Sequence, residues 1–228
     1  SLLKYTHGTT KGSINTSSLD NFTIEPEINK NGKIDQVLGK KDAILVQVLK
    51  EPISTKGPRL SCEINIPGRY IVLSPFSQTV AVSKKISSAD ERTRLRTLIE
   101  SIRPPNFGII VRTAAEGKKV ADLHEELSMM LDKWNTVYTQ LQKATPPAKL
   151  LSELDKTSSM LRDMLSESFN KIVVNDQDIH ESMKAYLRNI APDKERIVHM
   201  HKSNKPLSDN HGITKQIKSS FGKTATMA

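Results

Sequence analysis

The sequence predicts an α+β chain, and three observations predict it. Residues 43–73 carry short β-branched runs and apolar–polar alternation interrupted by Pro and Gly; the apolar period becomes helical after Lys84-Lys85; and the last third alternates helical stretches with short runs such as Ile172-Val173-Val174. A length of 228 residues allows one or two compact units, each with its own core.

From His7 to about Asn31, Gly, Ser, Thr and Asn dominate. Few large apolar side chains are present to offset the entropy of ordering this stretch, which therefore reads as a mobile loop at about 8–31. Ala43–Leu49 is apolar, β-branched and bounded by charge, the mark of a buried strand. Leu60, Cys62, Ile64 and Ile66 alternate with polar residues, which predicts a strand with one buried face. Pro67-Gly68 offers a turn and Tyr70–Leu73 a further strand.

Ser88 precedes Glu91 at the spacing of a capping box, and Leu95, Leu98, Ile99 and Ile102 follow at helical spacing until Pro104-Pro105. Phe107–Arg112 is a strand that delivers an arginine at its end. Val120 to about Lys143 places Leu123, Leu127, Met130, Trp134 and Tyr138 on one side of a long amphipathic helix, which makes Trp134 a core residue. Helix over Leu150–Phe169, strand over Lys171–Val174, helix over Asp178–Ile190, strand over Arg196–Val198 and a basic helix over Asn210–Phe221 complete the reading.

Lys and Arg total 34 against 25 Asp and Glu, a net charge of +9, so the surface field favours a polyanion such as nucleic acid or an anionic membrane. The single cysteine, Cys62, excludes an internal disulfide and a cysteine-based zinc site within one chain. No run approaches the roughly 18 apolar residues of a membrane span, and the start lacks a signal-peptide core. A soluble cytoplasmic protein is expected. The chain starts without Met and ends at Thr224–Ala228 without a helix stop, and is expected to be a piece of a longer protein.

Four constellations bear on chemistry. In Gly108–Gly117, a strand ending in Arg112-Thr113 and entering a turn can set a guanidinium fork, a hydroxyl and backbone N–H groups around one anion. The structural alternative is that Thr113 caps a helix, with Glu116 completing the box. Lys50, Lys56, Arg59 and Arg69, flanked by Lys84 and Lys85, can track a nucleic-acid backbone; the alternative is a solvated hairpin. His199 and His201 share a face on a strand but have no third ligand nearby, which favours surface histidines over a metal site. Asp122, Asp155, Asp163, Asp176 and Asp178 show no spacing that predicts convergence on two ions, so turn and cap roles explain them better.

Several of these segments recur together. Val46–Glu51, Thr55–Leu60, Pro67–Leu73, Val82–Ile86 and Gly108–Ala114 follow one another in the order and with the gaps of the ribonuclease E/G family, which the chain resembles from about Ile44 onward. Weaker similarity continues through Trp134, Arg162-Asp163, Ile172–Val174 and Gly212–Ile217.

The resemblance implies a mosaic: part of an S1-type, OB-type RNA-binding β-barrel over 1–61, a mixed α/β 5′-sensor over 62–157, and part of an RNase-H-like domain over 158–228. It implies that Arg112 and Thr113 bind a 5′-monophosphate and that Val72 gives a backbone contact to the terminal nucleotide. Lys56 matches a barrel lysine implicated in RNA binding, and Lys84 and Lys85 stand where the family has an arginine pair; lysine lacks the bidentate fork. Arg59, from the basic cluster, joins the expected RNA-binding set.

The implied parent is a Mg2+-dependent endoribonuclease that cleaves single-stranded RNA in RNA processing, mRNA decay and rRNA maturation, and a homo-oligomer at full length. Its catalytic carboxylates would lie after Ala228, so no catalytic residue, metal ligand or cofactor is expected within this chain, which should not cut RNA by itself. A non-catalytic RNA-binding or ribosome-assembly factor is the alternative.

Overall fold

The structure, a computed structural model, describes the backbone of residues 3–5 and 22–24 and, with side chains, residues 33–152, 155–165 and 169–222. The chain divides into two compact units, Ser1–Ser152 and Glu153–Ala228. Its architecture is α+β, as the sequence predicts.

In the first unit β1 (Leu3–Tyr5) pairs antiparallel with β2 (Phe22–Ile24). The expected loop at about 8–31 is thus corrected at residues 22–24, where the one apolar cluster of the stretch supports a strand; the rest of it lies outside the described residues. A second pair, β3 (Gln47–Lys50) and β4 (Arg59–Ser61), is antiparallel with a register irregularity between Val48 and Lys50. The apolar run at 43–49 is not the buried strand its composition predicts: the strand starts at Gln47, Val48 and Leu49 are exposed, and Leu45 reaches the core. The alternating stretch at 60–66 also divides between two sheets, since β4 ends at Ser61 and Ile66 opens the next strand. Among the described residues no sheet closes into a barrel.

The main sheet contains β5 (Ile66–Pro67), β6 (Ile71–Pro75), β7 (Val80–Val82) and β8 (Phe107–Val111), in the spatial order β5-β6-β8-β7. β6 lies antiparallel to β5 and β8, whereas β7 and β8 run parallel. Parallel neighbours require a crossover, and α1 (Ala89–Ile102) supplies it. The helix starts where the sequence places it, with the Ser88 hydroxyl accepting the Glu91 N–H at 3.2 Å. Glu91 does not return the bond; its carboxylate takes Arg94 at 2.6 Å and the Gly117 N–H at 2.8 Å, which fastens α1 to the loop after β8.

α2 (Val120–Leu141) packs its stripe of Leu123, Leu127, Met130, Trp134 and Val137 onto the sheet residues Ile71, Leu73, Ile109 and Val111. Trp134 meets Phe76 edge to face, with ring centroids 5.5 Å apart. Gln47 ties the β3–β4 pair to this body by exchanging two 2.9 Å hydrogen bonds with the backbone of Asn65.

The second unit contains α3 (Lys156–Met164), β9 (Ile172–Val174), α4 (Gln177–Ile190), β10 (Val198–Met200), α5 (Leu207–Asn210) and α6 (Ile213–Ser220). β9 and β10 are parallel, and Leu161, Leu165, Val174, Met183, Leu187 and Val198 form their own core. Asp155 and Asp176 cap α3 and α4, the role anticipated for them. Three boundaries differ from expectation. α3 starts at its Asp155 cap rather than at Leu150; Pro192 opens a 3-10 segment through Ile197, so the last strand starts at Val198; and Gly212, at φ 69°, divides the final basic helix into two.

Candidate nucleic-acid interface

The end of β8 is set by backbone bonds before any side chain takes part. The Arg112 N–H donates to the Tyr70 carbonyl at 2.7 Å, extending the ladder with β6 by one step. Ala115 N–H to Arg112 carbonyl and Glu116 N–H to Thr113 carbonyl, both 3.1 Å, then curl Thr113–Ala115 into one 3-10 turn. Thr113 heads this turn without capping it, so the capping alternative is corrected. At the start of α2 it is Asp122 that accepts a terminal donor, the Lys119 N–H, at 3.0 Å.

The end of β7 lies against the same edge. The Ser83 N–H donates to the Val111 carbonyl at 2.9 Å, and the Ser83 and Thr113 hydroxyl oxygens are 3.4 Å apart. Lys84 and Lys85 occupy the turn that follows, which is held by the Ser83 hydroxyl accepting the Lys85 N–H at 3.3 Å and by the buried Ile86; both lysine side chains are exposed. Val72, half-buried in β6, lies opposite Ile110 of β8 and Pro67 of β5. Arg112, Thr113, Lys84, Lys85 and Val72 therefore gather around one end of the main sheet.

Lys56 and Arg59 belong to the other antiparallel pair. Ile53 and Lys56 exchange backbone bonds of 3.1 and 3.0 Å that close a tight turn, and Arg59 opens β4 opposite Lys50. Lys50, Lys56 and Arg59 are all exposed. They form a second basic set, on a different sheet from Arg112.

The Arg112 side chain is half-buried, and its Nη1 donates to the Gly68 carbonyl at 2.7 Å. Next to it is a group that the sequence reading did not identify. Glu126, on the buried side of α2 and only 8% exposed, accepts the N–H groups of Arg69 at 2.6 Å, Tyr70 at 2.8 Å and Ile71 at 2.9 Å. Burial pushes its carboxyl pKa up, against the opposing pull of those three N–H donors and of the Arg112 charge. One signal in the sequence points to it: Glu126 interrupts the apolar stripe of α2, and a carboxyl group on a core face needs partners. Tyr70 adds an aromatic ring with the Arg69 guanidinium and the Lys118 ammonium each 5.4 Å from its centroid.

In the second unit His199 and His201 line a hollow of about 360 Å³ with Lys171, Lys202 and His211. The His201 Nε2 lies 2.7 Å from the Lys205 carbonyl. Among the described residues no group of three His, Cys, Asp or Glu side chains is placed to hold a metal ion. No described helix is long and apolar enough to cross a membrane.

A sequence model of the Ribonuclease E/G family matches residues 65–228. Ribonuclease E of Nostoc sp. is 40% identical over 156 residues, which is 68% of this chain and 23% of that protein. The chloroplastic ribonuclease E/G-like protein of Arabidopsis thaliana is 31% identical over 210 residues, covering 88% of this chain and 21% of that protein. Ribonuclease G of Haemophilus influenzae is 28% identical over 194 residues, covering 85% and 40%. The chain thus spans about a quarter of the first of these relatives and less than half of the last.

Proposed function

The chain belongs to the ribonuclease E/G family, and on that premise we propose that it is the RNA-reading part of an endoribonuclease, with the Arg112–Thr113 edge receiving the 5′-monophosphate of a single-stranded transcript. The observation that supports this reading is that Arg112-Thr113 follows β8 where β7 ends beside it, with the Ser83 and Thr113 hydroxyls 3.4 Å apart and the Lys84-Lys85 turn next along the chain. A terminal phosphate monoester carries up to two negative charges and three acceptor oxygens, which suits a guanidinium fork supported by hydroxyl donors. In this reading Val72 and the Tyr70 ring border the terminal nucleotide. A triphosphate brings charge beyond what this short edge can pair, so the site reads phosphorylation state as well as the presence of an end.

Lys84, Lys85, Lys56 and Arg59 hold the following backbone phosphates by charge, without selecting bases. In this reading the first unit contains S1-type barrel residues and the 5′-sensor, and the second belongs to an RNase-H-like domain. Hydrolysis with Mg2+ belongs to a part of the enzyme outside residues 1–228, in a cytoplasmic homo-oligomer.

The test is an anisotropy titration with one oligoribonucleotide bearing either a 5′-monophosphate or a 5′-hydroxyl. The wild type is expected to prefer the phosphorylated end, and Arg112→Ala to abolish that preference while keeping most of the affinity for the hydroxyl form. Equal binding of both ends by the wild type, or an unchanged preference in the variant, overturns the reading.

A further inference from the structure

A carboxyl group on the core face of a helix needs a reason to be there, because burial without partners is costly. Glu126 accepts the consecutive N–H groups of residues 69–71 at 2.6 to 2.9 Å, and the Arg112 charge also acts on it. Both carboxyl oxygens are used, Oε1 by Arg69 and Oε2 by Tyr70 and Ile71. The gripped segment is the tight connection between β5 and β6, which is also closed by the Gly68 N–H donating to the Ile71 carbonyl at 2.8 Å.

This connection offers two acceptors to Arg112. The Gly68 carbonyl takes its Nη1 at 2.7 Å, and the Tyr70 carbonyl takes its backbone N–H at 2.7 Å. The position of the guanidinium thus depends on where the 68–70 backbone is held, and α2 holds it through Glu126. Gly68 fits the same device: a Cβ there would lie 2.7 Å from the Glu126 Cδ and 2.9 Å from each carboxyl oxygen, so the backbone approaches the carboxyl group as closely as a residue without a side chain allows.

We propose that Glu126 is a positioning residue for the 5′-phosphate site: by gripping the N–H groups of residues 69–71 it fixes the Gly68 carbonyl on which the Arg112 guanidinium is anchored. The inference rests on the reading of Arg112 as the phosphate ligand. Glu126 does not touch the phosphate and, as an acid, would repel it; it acts on where the guanidinium sits. A fork displaced by a fraction of an ångström loses paired hydrogen bonds to a phosphate before it loses long-range attraction, so the loss falls on end discrimination rather than on general affinity.

The experiment uses the full chain and compares the affinities of one oligoribonucleotide with a 5′-monophosphate and with a 5′-hydroxyl. Four variants are compared with the wild type: Arg112→Ala, Glu126→Gln, Gly68→Ala and Leu127→Ala. Glu126→Gln keeps the shape but offers N–H donors where an acceptor is needed, while Gly68→Ala displaces the carboxyl group and leaves both Glu126 and Arg112 chemically intact. Leu127→Ala is the control, a core truncation on the same helix that lowers the melting temperature without touching the grip.

Glu126→Gln and Gly68→Ala are expected to lower the ratio of phosphate to hydroxyl affinity by roughly tenfold with the hydroxyl affinity nearly unchanged. Leu127→Ala keeps the wild-type ratio. A preference lost in Arg112→Ala and intact in both Glu126→Gln and Gly68→Ala overturns the positioning role and leaves the phosphate site standing. A ratio that falls in Leu127→Ala as it does in Glu126→Gln also overturns it, since the effect is then one of stability. A wild-type preference kept by Arg112→Ala overturns the phosphate site and the positioning role together. If Glu126→Gln does not fold, the ratio in Gly68→Ala decides alone.

Discussion

Gly68 and Glu126 share one space: the position a Cβ would take on residue 68 is 2.7 Å from the Glu126 Cδ, closer than packed atoms approach. The obstacle is the far end of a side chain, which would ordinarily swing away at little cost. Here three backbone hydrogen bonds pin it. Gly68→Ala should therefore destabilise the first unit by about 1–3 kcal/mol, the range for overpacking a site that cannot relax. Urea denaturation followed by tryptophan fluorescence measures it, because Trp134 lies in the same core. An unchanged midpoint would mean that Glu126 has another place to go.

The Lys84-Lys85 turn makes a different kind of prediction. Both side chains are exposed; if they hold RNA by charge as proposed, the double substitution to Ala should weaken binding to phosphorylated and hydroxyl-ended RNA alike. It should also reduce the slope of log affinity against log salt by about 1.4, at about 0.7 per phosphate contact on a single strand. A change in end preference with no change in slope would assign these lysines to the terminal phosphate instead.

Two glutamates give opposite pH dependences. The Glu91 carboxyl, held by Arg94 and then by the Gly117 N–H, is pushed down to about 2. Its contribution is therefore present above the ordinary carboxylate value of 4.5 and lost as the pH falls from there through about 2. Glu126 runs the other way. Its pKa is raised by burial, so its contribution is fully present below the ordinary value and is lost as the pH rises through the raised one. In stability profiles measured by urea titration, Glu91→Gln should flatten the acid limb, and Glu126→Gln should remove a decline on the higher-pH side of 4.5. Parallel profiles for the two variants would contradict both assignments.

Trp134 is 1% exposed and edge-on to Phe76 at 5.5 Å. Trp134→Ala should cost about 3–5 kcal/mol, the range for a large aromatic removed from a core. A loss under about 1 kcal/mol would show that α2 repacks around the gap.

What was legible in the sequence follows from what each residue needs. Ser88 needs an N–H three residues on, so the start of α1 could be read; Leu123, Leu127, Met130 and Trp134 need one common face, so α2 could be read. The strand end at Arg112-Thr113 and the turn after it were legible, and the structure has β8 end at Val111 with a 3-10 turn over Thr113–Ala115. The run at 43–49 misled because a short apolar segment does not disclose which neighbours cover it: Leu45 is buried, while Val48 and Leu49 face outward. The Arg196–Val198 strand misled because Pro192 favours a helical start, and the 3-10 segment extends through Ile197. Glu126 was missed because its partners are backbone N–H groups 55 to 57 residues away, and no local pattern announces them.

The most direct test of the central claim is a two-dimensional amide NMR titration of the full chain with short oligoribonucleotides that differ only in a 5′-monophosphate or a 5′-hydroxyl. The phosphorylated strand is predicted to shift the signals of Arg112, Thr113 and Ala114, with a smaller effect at Val72. The hydroxyl strand should leave these in place while both strands shift residues around Lys56 and Arg59. Identical shifts from the two strands, or shifts confined to the Lys56–Arg59 pair of strands, would contradict a phosphate site at the end of β8.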